Sequence, residues 1–225
     1  MQHCFAQRDT TVERDPGVVI GLTNIVYIAP TFLILLAVHE SGHCTFAYLG
    51  GAENIRFGLN GGGGGLGWAN WNGNPSGVWA PLADLGGVLF TRGLAEGTDC
   101  LVRNTNMPNW AQRFFSMMFL ESRLDFPRYV LLDATLNLFN SKGADFDDFI
   151  TKVAGRNTSW RTLTYSALIT ISILDLVWEW DRICQHWEIL KGGPYSKAKP
   201  SSHSQLRVHP FFSNNTFGVN ATLIW

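Results

Sequence analysis

From Gly17 to Val38 the chain runs 22 residues without a charge, GVVIGLTNIVYIAPTFLILLAV. A helix of that length, at about 1.5 Å rise per residue, is long enough to cross the hydrocarbon core of a bilayer. Asn24, Pro30 and Thr31 interrupt the run. Pro30 removes a backbone donor and predicts a kink, of a kind tolerated at membrane depth where the helix lines protein or a cavity. The helix is expected to continue through His39–Leu49 and to stop at Gly50-Gly51, where glycine accepts a left-handed cap. The period then changes. Ile55, Phe57 and Leu59 alternate with Arg56, Gly58 and Asn60, which reads as a strand. The glycines at 61–65 predict a turn, and Leu66-Gly-Trp-Ala-Asn-Trp predicts a returning strand.

Pro81 to Ala95 reads as a further helix, rich in glycine and suited to close packing. Trp110 to Phe139 holds two apolar patches separated by Arg123, Asp125, Pro127 and Arg128, and Pro127 is expected to break the helix between them. After a polar stretch around residues 141–148, a third apolar helix spans Leu163 to Trp180, with Asp175 inside it and Trp178 and Trp180 at its end. These patterns predict a mainly α fold, a polytopic membrane helix bundle with a small β-hairpin insertion after the first long helix. Its parts are a polar lead-in over residues 1–16, a membrane domain over 17–190 and a loose, Pro/Ser/Gly/Asn-rich tail over 191–225. No internal repeat is present. Arg8 and Arg14 precede the first span, and no Lys or Arg follows it until Arg56, which favours a cytoplasmic N-terminus.

Composition narrows the functional classes. The net charge of -1 argues against nucleic acid as a main partner, because phosphate binding needs a basic excess. Charged residues make up 16 %, below the roughly 25 % of soluble domains, so the balance leans towards a membrane. Four scattered cysteines form no CxxC pair, which argues against a thiolate zinc site or a redox motif. The glycine run lacks the Lys-Ser or Lys-Thr of a phosphate loop.

The chemistry lies in His39-Glu40-Ser41-Gly42-His43, an HExxH match directly after Leu-Leu-Ala-Val. Histidines at i and i+4 share one face of a helix and can bind one tetrahedral zinc. Glu40 then stands beside the metal, placed to take a proton from a water whose pKa the zinc lowers towards neutrality. Ionisable groups at the end of an apolar helix are costly and usually functional. The metzincin extension is missing, since Phe46 and Leu49 occupy its Gly and His positions.

The run Phe32–Gly50, an apolar helix followed by HESGHCTFAYLG, resembles the first active-site helix of site-2 protease-type intramembrane metallopeptidases, with Gly42, Ala47 and Gly50 or Gly51 at matching positions. Asn54–Leu59 is similar to the β-hairpin that follows the motif in that family. Ala80-Pro-Leu-Ala-Asp-Leu resembles its G-P-x-A-N segment, with Ala80 for Gly and Asp84 for Asn. The likeness covers roughly residues 17 to 100. The family's N-x-x-P…D-G signature is not present in clean form. The resemblance implies a zinc-dependent intramembrane endopeptidase, multi-pass in the bilayer, acting on transmembrane or membrane-adjacent protein segments, with Zn2+ as cofactor.

It also implies a third zinc ligand, an Asp from a later segment. Asp145, in Gly143-Ala-Asp-Phe, is the first choice, and Asp133, a carboxylate inside an apolar helix, the second. Asp147 and Asp148 read as solvated helix-start residues. Glu96, in Leu-Ala-Glu-Gly-Thr-Asp, defines an alternative, a soluble or peripheral thermolysin-like zinc peptidase. A non-catalytic membrane protein of the same fold is the other alternative. His186 is a further possible ligand, though a lone His is more often a packed residue.

Overall fold

A computed structural model describes residues 17–59, 67–138, 145–155, 157–193, 205–213 and 216–224. The polar lead-in lies outside the described residues. The chain divides into two compact units, Met1–Tyr195 and Ser196–Trp225.

The first unit is mainly helical. It contains α1 (Gly17–Leu49), a hairpin of β1 (Glu53–Gly58) and β2 (Trp68–Asn72), then α2 (Trp79–Asn104), α3 (Asn109–Leu138), α4 (Asp145–Ala154), α5 (Thr158–Trp178) and α6 (Trp180–Leu190). α1 passes through Pro30 without ending. Next to the missing N–H, the Thr31 hydroxyl donates to the Tyr27 carbonyl at 2.7 Å, a side-chain bond back into the preceding turn of the helix. Gly51, at φ +89°, closes α1. The Ala52 N–H reaches the Ala47 carbonyl at 3.0 Å and the Gly51 N–H reaches Tyr48 at 2.9 Å, a Schellman ending. β1 and β2 pair antiparallel, with an irregularity between Glu53 and Arg56 where Asn54 takes a φ of 52°.

α1 and α2 cross at Gly42 and Gly86. A Cβ at Gly42 would lie 2.1 Å from the Gly86 carbonyl oxygen, and one at Gly86 would lie 2.4 Å from that of Gly42. Only glycine permits this backbone approach. The crossing sets Ala83 and Gly87 of α2 directly against the histidine face of α1. Val88, Val130 and Phe146 then join α2, α3 and α4 in one apolar cluster, with Tyr129, Leu168 and Ile169 around it.

Two elements differ from the sequence expectation. Pro127 does not break α3, which runs unbroken from Asn109 to Leu138. Pro127 is buried and the flanking turns carry tertiary contacts, which hold the helix together despite one missing backbone bond. The expected loose tail holds a second hairpin, β3 (Gln205–Ser213) paired antiparallel with β4 (Thr216–Ile224) in continuous register. The alternation in Leu206-Arg-Val-His and Phe217-Gly-Val-Asn carries that strand signal, which the Pro and Ser content of the preceding segment outweighs.

Among the described residues, one helical stretch, Asn24–Leu49, is long and apolar enough to cross a membrane by length and composition. The pair α5–α6 passes the same test as a unit, bent by 58° at Glu179.

Candidate metal centre

His39 and His43 both lie inside the bundle, 2 % and 4 % exposed, with ring centroids 4.8 Å apart. Each ring is fixed through Nδ1. His39 Nδ1 lies 2.8 Å from Asp125 Oδ2 on α3, and His43 Nδ1 lies 2.6 Å from the Ala83 carbonyl oxygen on α2. A carboxylate and a carbonyl only accept hydrogen bonds, so Nδ1 carries the proton in both rings. Nε2 is therefore the atom that each neutral imidazole presents as a ligand. Metal-binding histidines are commonly oriented in this way, by a carboxylate or a backbone carbonyl behind the ring.

Asp125 is 1 % exposed and is itself tied down. Thr91 Oγ1 donates to Oδ2 at 2.8 Å, and Arg128 Nη2 donates to Oδ1 at 2.6 Å. Tyr129 stacks on His39 with centroids 4.6 Å apart and 14° between planes, so the ring cannot swing away from α2. On the other side, Gly87 closes on His39. A Cβ there would lie 2.3 Å from Nε2. Glu40 is 7 % exposed, and the hairpin residue Gly67 comes so near that its Cβ would lie 2.5 Å from Oε1. Glycines thus let the backbone approach both the imidazole nitrogen and the carboxylate more closely than any other residue would.

Sequence reasoning misses Asp125, because Pro127 two residues on predicts a break there. A signal does exist: a carboxylate flanked by apolar runs needs a partner, the argument that singles out Asp133 two turns further along. We expect Asp125→Asn to weaken zinc binding by about 10–100-fold, the usual effect of losing a carboxylate behind a ligating histidine. Competition with a chelator of known affinity measures this. An unchanged affinity would mean that Asp125 does not orient His39.

Among the described residues, no three His, Cys, Asp or Glu side chains form a group able to hold a metal. The side chains of Asp145 and Asp133 lie outside the described part of the structure. Their backbones are positioned. α4 begins at Asp145, and the next residue, Phe146, packs on Val88, the neighbour of Gly87. Lys152, two turns along α4, reaches Asp84 of α2 at 2.6 Å, so α4 runs antiparallel to α2 with its first turn on the Val88 side. Asp133 follows Tyr129 by one turn on α3. Comparison with protein-family profiles, curated proteins and solved structures finds no match.

The other candidates sit elsewhere. Glu96 lies nine residues beyond Gly87 on α2, about 13 Å along the axis. Its carboxylate receives Arg123 of α3 and Arg182 of α6. Burial raises the Glu96 pKa, but the hydrogen bond and charge of Arg182, reinforced by Arg123, outweigh it and hold the group below the usual range. The structure therefore does not bring Glu96 to the histidines. His186 is fully buried between Ser116 and Asp99, at 3.0 Å from each, and stacks on Phe119. Asp147 pairs with Arg161 and accepts from Tyr165, while Asp148 is exposed. Asp175 of α5 pairs with Arg92 of α2.

Proposed function

We propose that the chain is a zinc-dependent intramembrane endopeptidase of the site-2 protease type. His39, His43 and Asp145 are the ligands in this reading, Asp133 is the substitute for Asp145, and Glu40 is the general base. One observation carries it: two buried imidazoles one turn apart, each held through Nδ1 by a dedicated acceptor, beside a buried carboxylate. A pair of incidental surface histidines has no reason to be buried and braced from behind. Two imidazoles with a carboxylate form a common catalytic zinc ligand set, and the orientation of His39 and His43 supports them as the first two members. The course of α4 supports Asp145, since its first turn faces the Val88–Gly87 stretch that borders His39.

When bound, zinc supplies Lewis acidity that polarises a peptide carbonyl and eases deprotonation of water. The chain's own residues do the rest. Glu40 takes a proton from the attacking water, whose oxygen bonds to the carbonyl carbon. Glu40 then returns that proton to the amine nitrogen as the C–N bond breaks. Asp125, Thr91 and Arg128 keep His39 in one orientation throughout. The substrate is an extended segment, because in a helix the backbone bonds hide the scissile carbonyl. An edge of the β1–β2 hairpin offers such a segment a strand to pair with.

The membrane part of the reading rests on α1 and on the bent α5–α6 pair. α1 presents an apolar outer face, with Ile25 58 % and Val26 60 % exposed. On α5 the exposed Trp160 and Trp178 stand about 27 Å apart along the axis, the spacing of the two interfacial aromatic belts. The expected result is a protein that stays with membranes through alkaline carbonate and that cleaves a transmembrane peptide in micelles only when zinc is present. Release by carbonate contradicts the span. A zinc-loaded protein that leaves every transmembrane peptide intact contradicts the enzyme reading.

A further inference from the structure

α4 is a ten-residue helix, Asp145–Ala154, too short to be stable alone, so contacts with its neighbours decide where it lies. Two kinds of contact hold it on α2. The first is apolar. Phe146 and Ile150 are buried one turn apart on one face, and Phe146 packs on Val88 with Leu85 and Phe149 alongside. Apolar burial is non-directional, so this face presses α4 down without fixing where along α2 it stops. The second is ionic. Lys152 Nζ donates to Asp84 Oδ1 at 2.6 Å, and that carboxylate is buried in the bundle. A single point of this kind fixes register. If α4 slid by one turn, about 5.4 Å, Lys152 would lose Asp84, and Asp145 would move by the same amount. A zinc–carboxylate bond is only about 2.0–2.2 Å long, so the site would not tolerate the slip. Asp84 also directly follows Ala83, whose carbonyl oxygen accepts from His43 Nδ1. One turn of α2 therefore holds both the acceptor for His43 and the anchor for α4. Arg161 ties α4 to α5 instead, through Asp147 and Thr151.

We propose that Lys152 is a positioning residue for the metal centre: its bond to Asp84 sets the register of α4 on α2, and so holds Asp145, the first residue of α4, beside the Val88–Gly87 stretch that borders His39. The proposal rests on the ligand role given to Asp145 above and adds what delivers that ligand. Lys152 is not itself a ligand in this reading. Its effect passes along the helix to Asp145, so it disappears when Asp145 is removed. An effect that passed through Ala83 to His43, or through a general loss of stability, would persist.

The test is the zinc affinity of the full-length protein in micelles, measured by competition with a chelator, for wild type, Lys152→Met, Asp145→Ala and the double variant. Methionine keeps the length of the stem and removes the charge. Lys152→Met is expected to weaken zinc binding about tenfold, the lower end of what losing an orienting partner costs. Asp145→Ala should weaken it more, and adding Lys152→Met to Asp145→Ala should change nothing further. Lys152→Arg keeps the charge and the reach and should bind zinc as the wild type does. Arg161→Met loosens α4 from α5 and leaves the Asp84 bond in place, so it should do the same. A Lys152→Met protein with wild-type affinity overturns the proposal. So does the same loss appearing on the Asp145→Ala background, in Lys152→Arg or in Arg161→Met. Wild-type affinity in Asp145→Ala instead removes Asp145 from the ligand set, so failure of the ligand reading is told apart from failure of the fastening.

Discussion

Glu40→Gln is expected to lower peptide hydrolysis by about 10²–10⁴-fold, the usual contribution of a positioned general base, while zinc stays bound. The substitution keeps the shape of the side chain. It therefore fits the space beside Gly67, where a larger residue would not. It removes only the capacity to accept and return a proton. His39 and His43 keep their partners on Asp125 and Ala83, so the metal site itself is untouched. Steady-state cleavage of a transmembrane peptide, paired with zinc analysis of the same sample, checks this. A Glu40→Gln protein that hydrolyses peptide at the wild-type rate removes Glu40 from the chemistry. Loss of both zinc and activity would instead mean that the carboxylate is needed to build the site.

The second large effect is expected at a residue with no chemistry of its own. Gly87→Ala adds one methyl group, 2.3 Å from His39 Nε2 and 2.5–2.6 Å from the ring carbons. Real Cβ contacts are essentially never that short, so the ring must move. Tyr129 stacks on one face and Asp125 fixes Nδ1, which leaves little room for a harmless rotation. The cost falls on the nitrogen that would hold the metal. Zinc affinity should fall by about 10–100-fold or more, as when a ligand loses its orientation. Alanine raises intrinsic helix propensity by about 1 kcal/mol over glycine, so poor helix formation cannot explain the loss. Gly93→Ala is the matched control. It lies on the same helix with nothing within 4 Å of the added carbon, and it should keep zinc and activity. A Gly87→Ala protein that binds zinc as tightly as the Gly93→Ala protein would place the metal elsewhere.

The helical frame and the hairpin are readable from local signals. The uncharged run before His39, the Gly50-Gly51 stop and the alternation after Asn54 each map onto an element with nearly the expected bounds. The histidine pair is readable because a spacing of four brings two side chains to one face whatever the surroundings. Contacts between distant segments are not readable. Asp125 meets His39 across 86 residues, and nothing near it in the chain marks it as a partner for an imidazole. Pro127 hides it further, because the helix-breaking rule describes an isolated helix and neighbours support this one. Gly86 and Gly87 read only as part of a glycine-rich helix, and Gly42 only as a position in the motif. Their role as the crossing that delivers Ala83 to His43 emerges once α1 and α2 are set together. The ionic cluster of Glu96, Asp99, Arg123, Glu179 and Arg182 has the same character. Its members come from distant segments, and pairing among them removes Glu96 from contention as a ligand.

The most direct test is the zinc content of the purified full-length protein, measured by mass spectrometry of the metal beside His39→Ala and His43→Ala versions shown to be folded by circular dichroism. About one zinc per chain in the wild type and almost none in either variant is the result expected of a single site built on both imidazoles. Wild-type protein that takes up no zinc, or variants that keep the full complement, would contradict it.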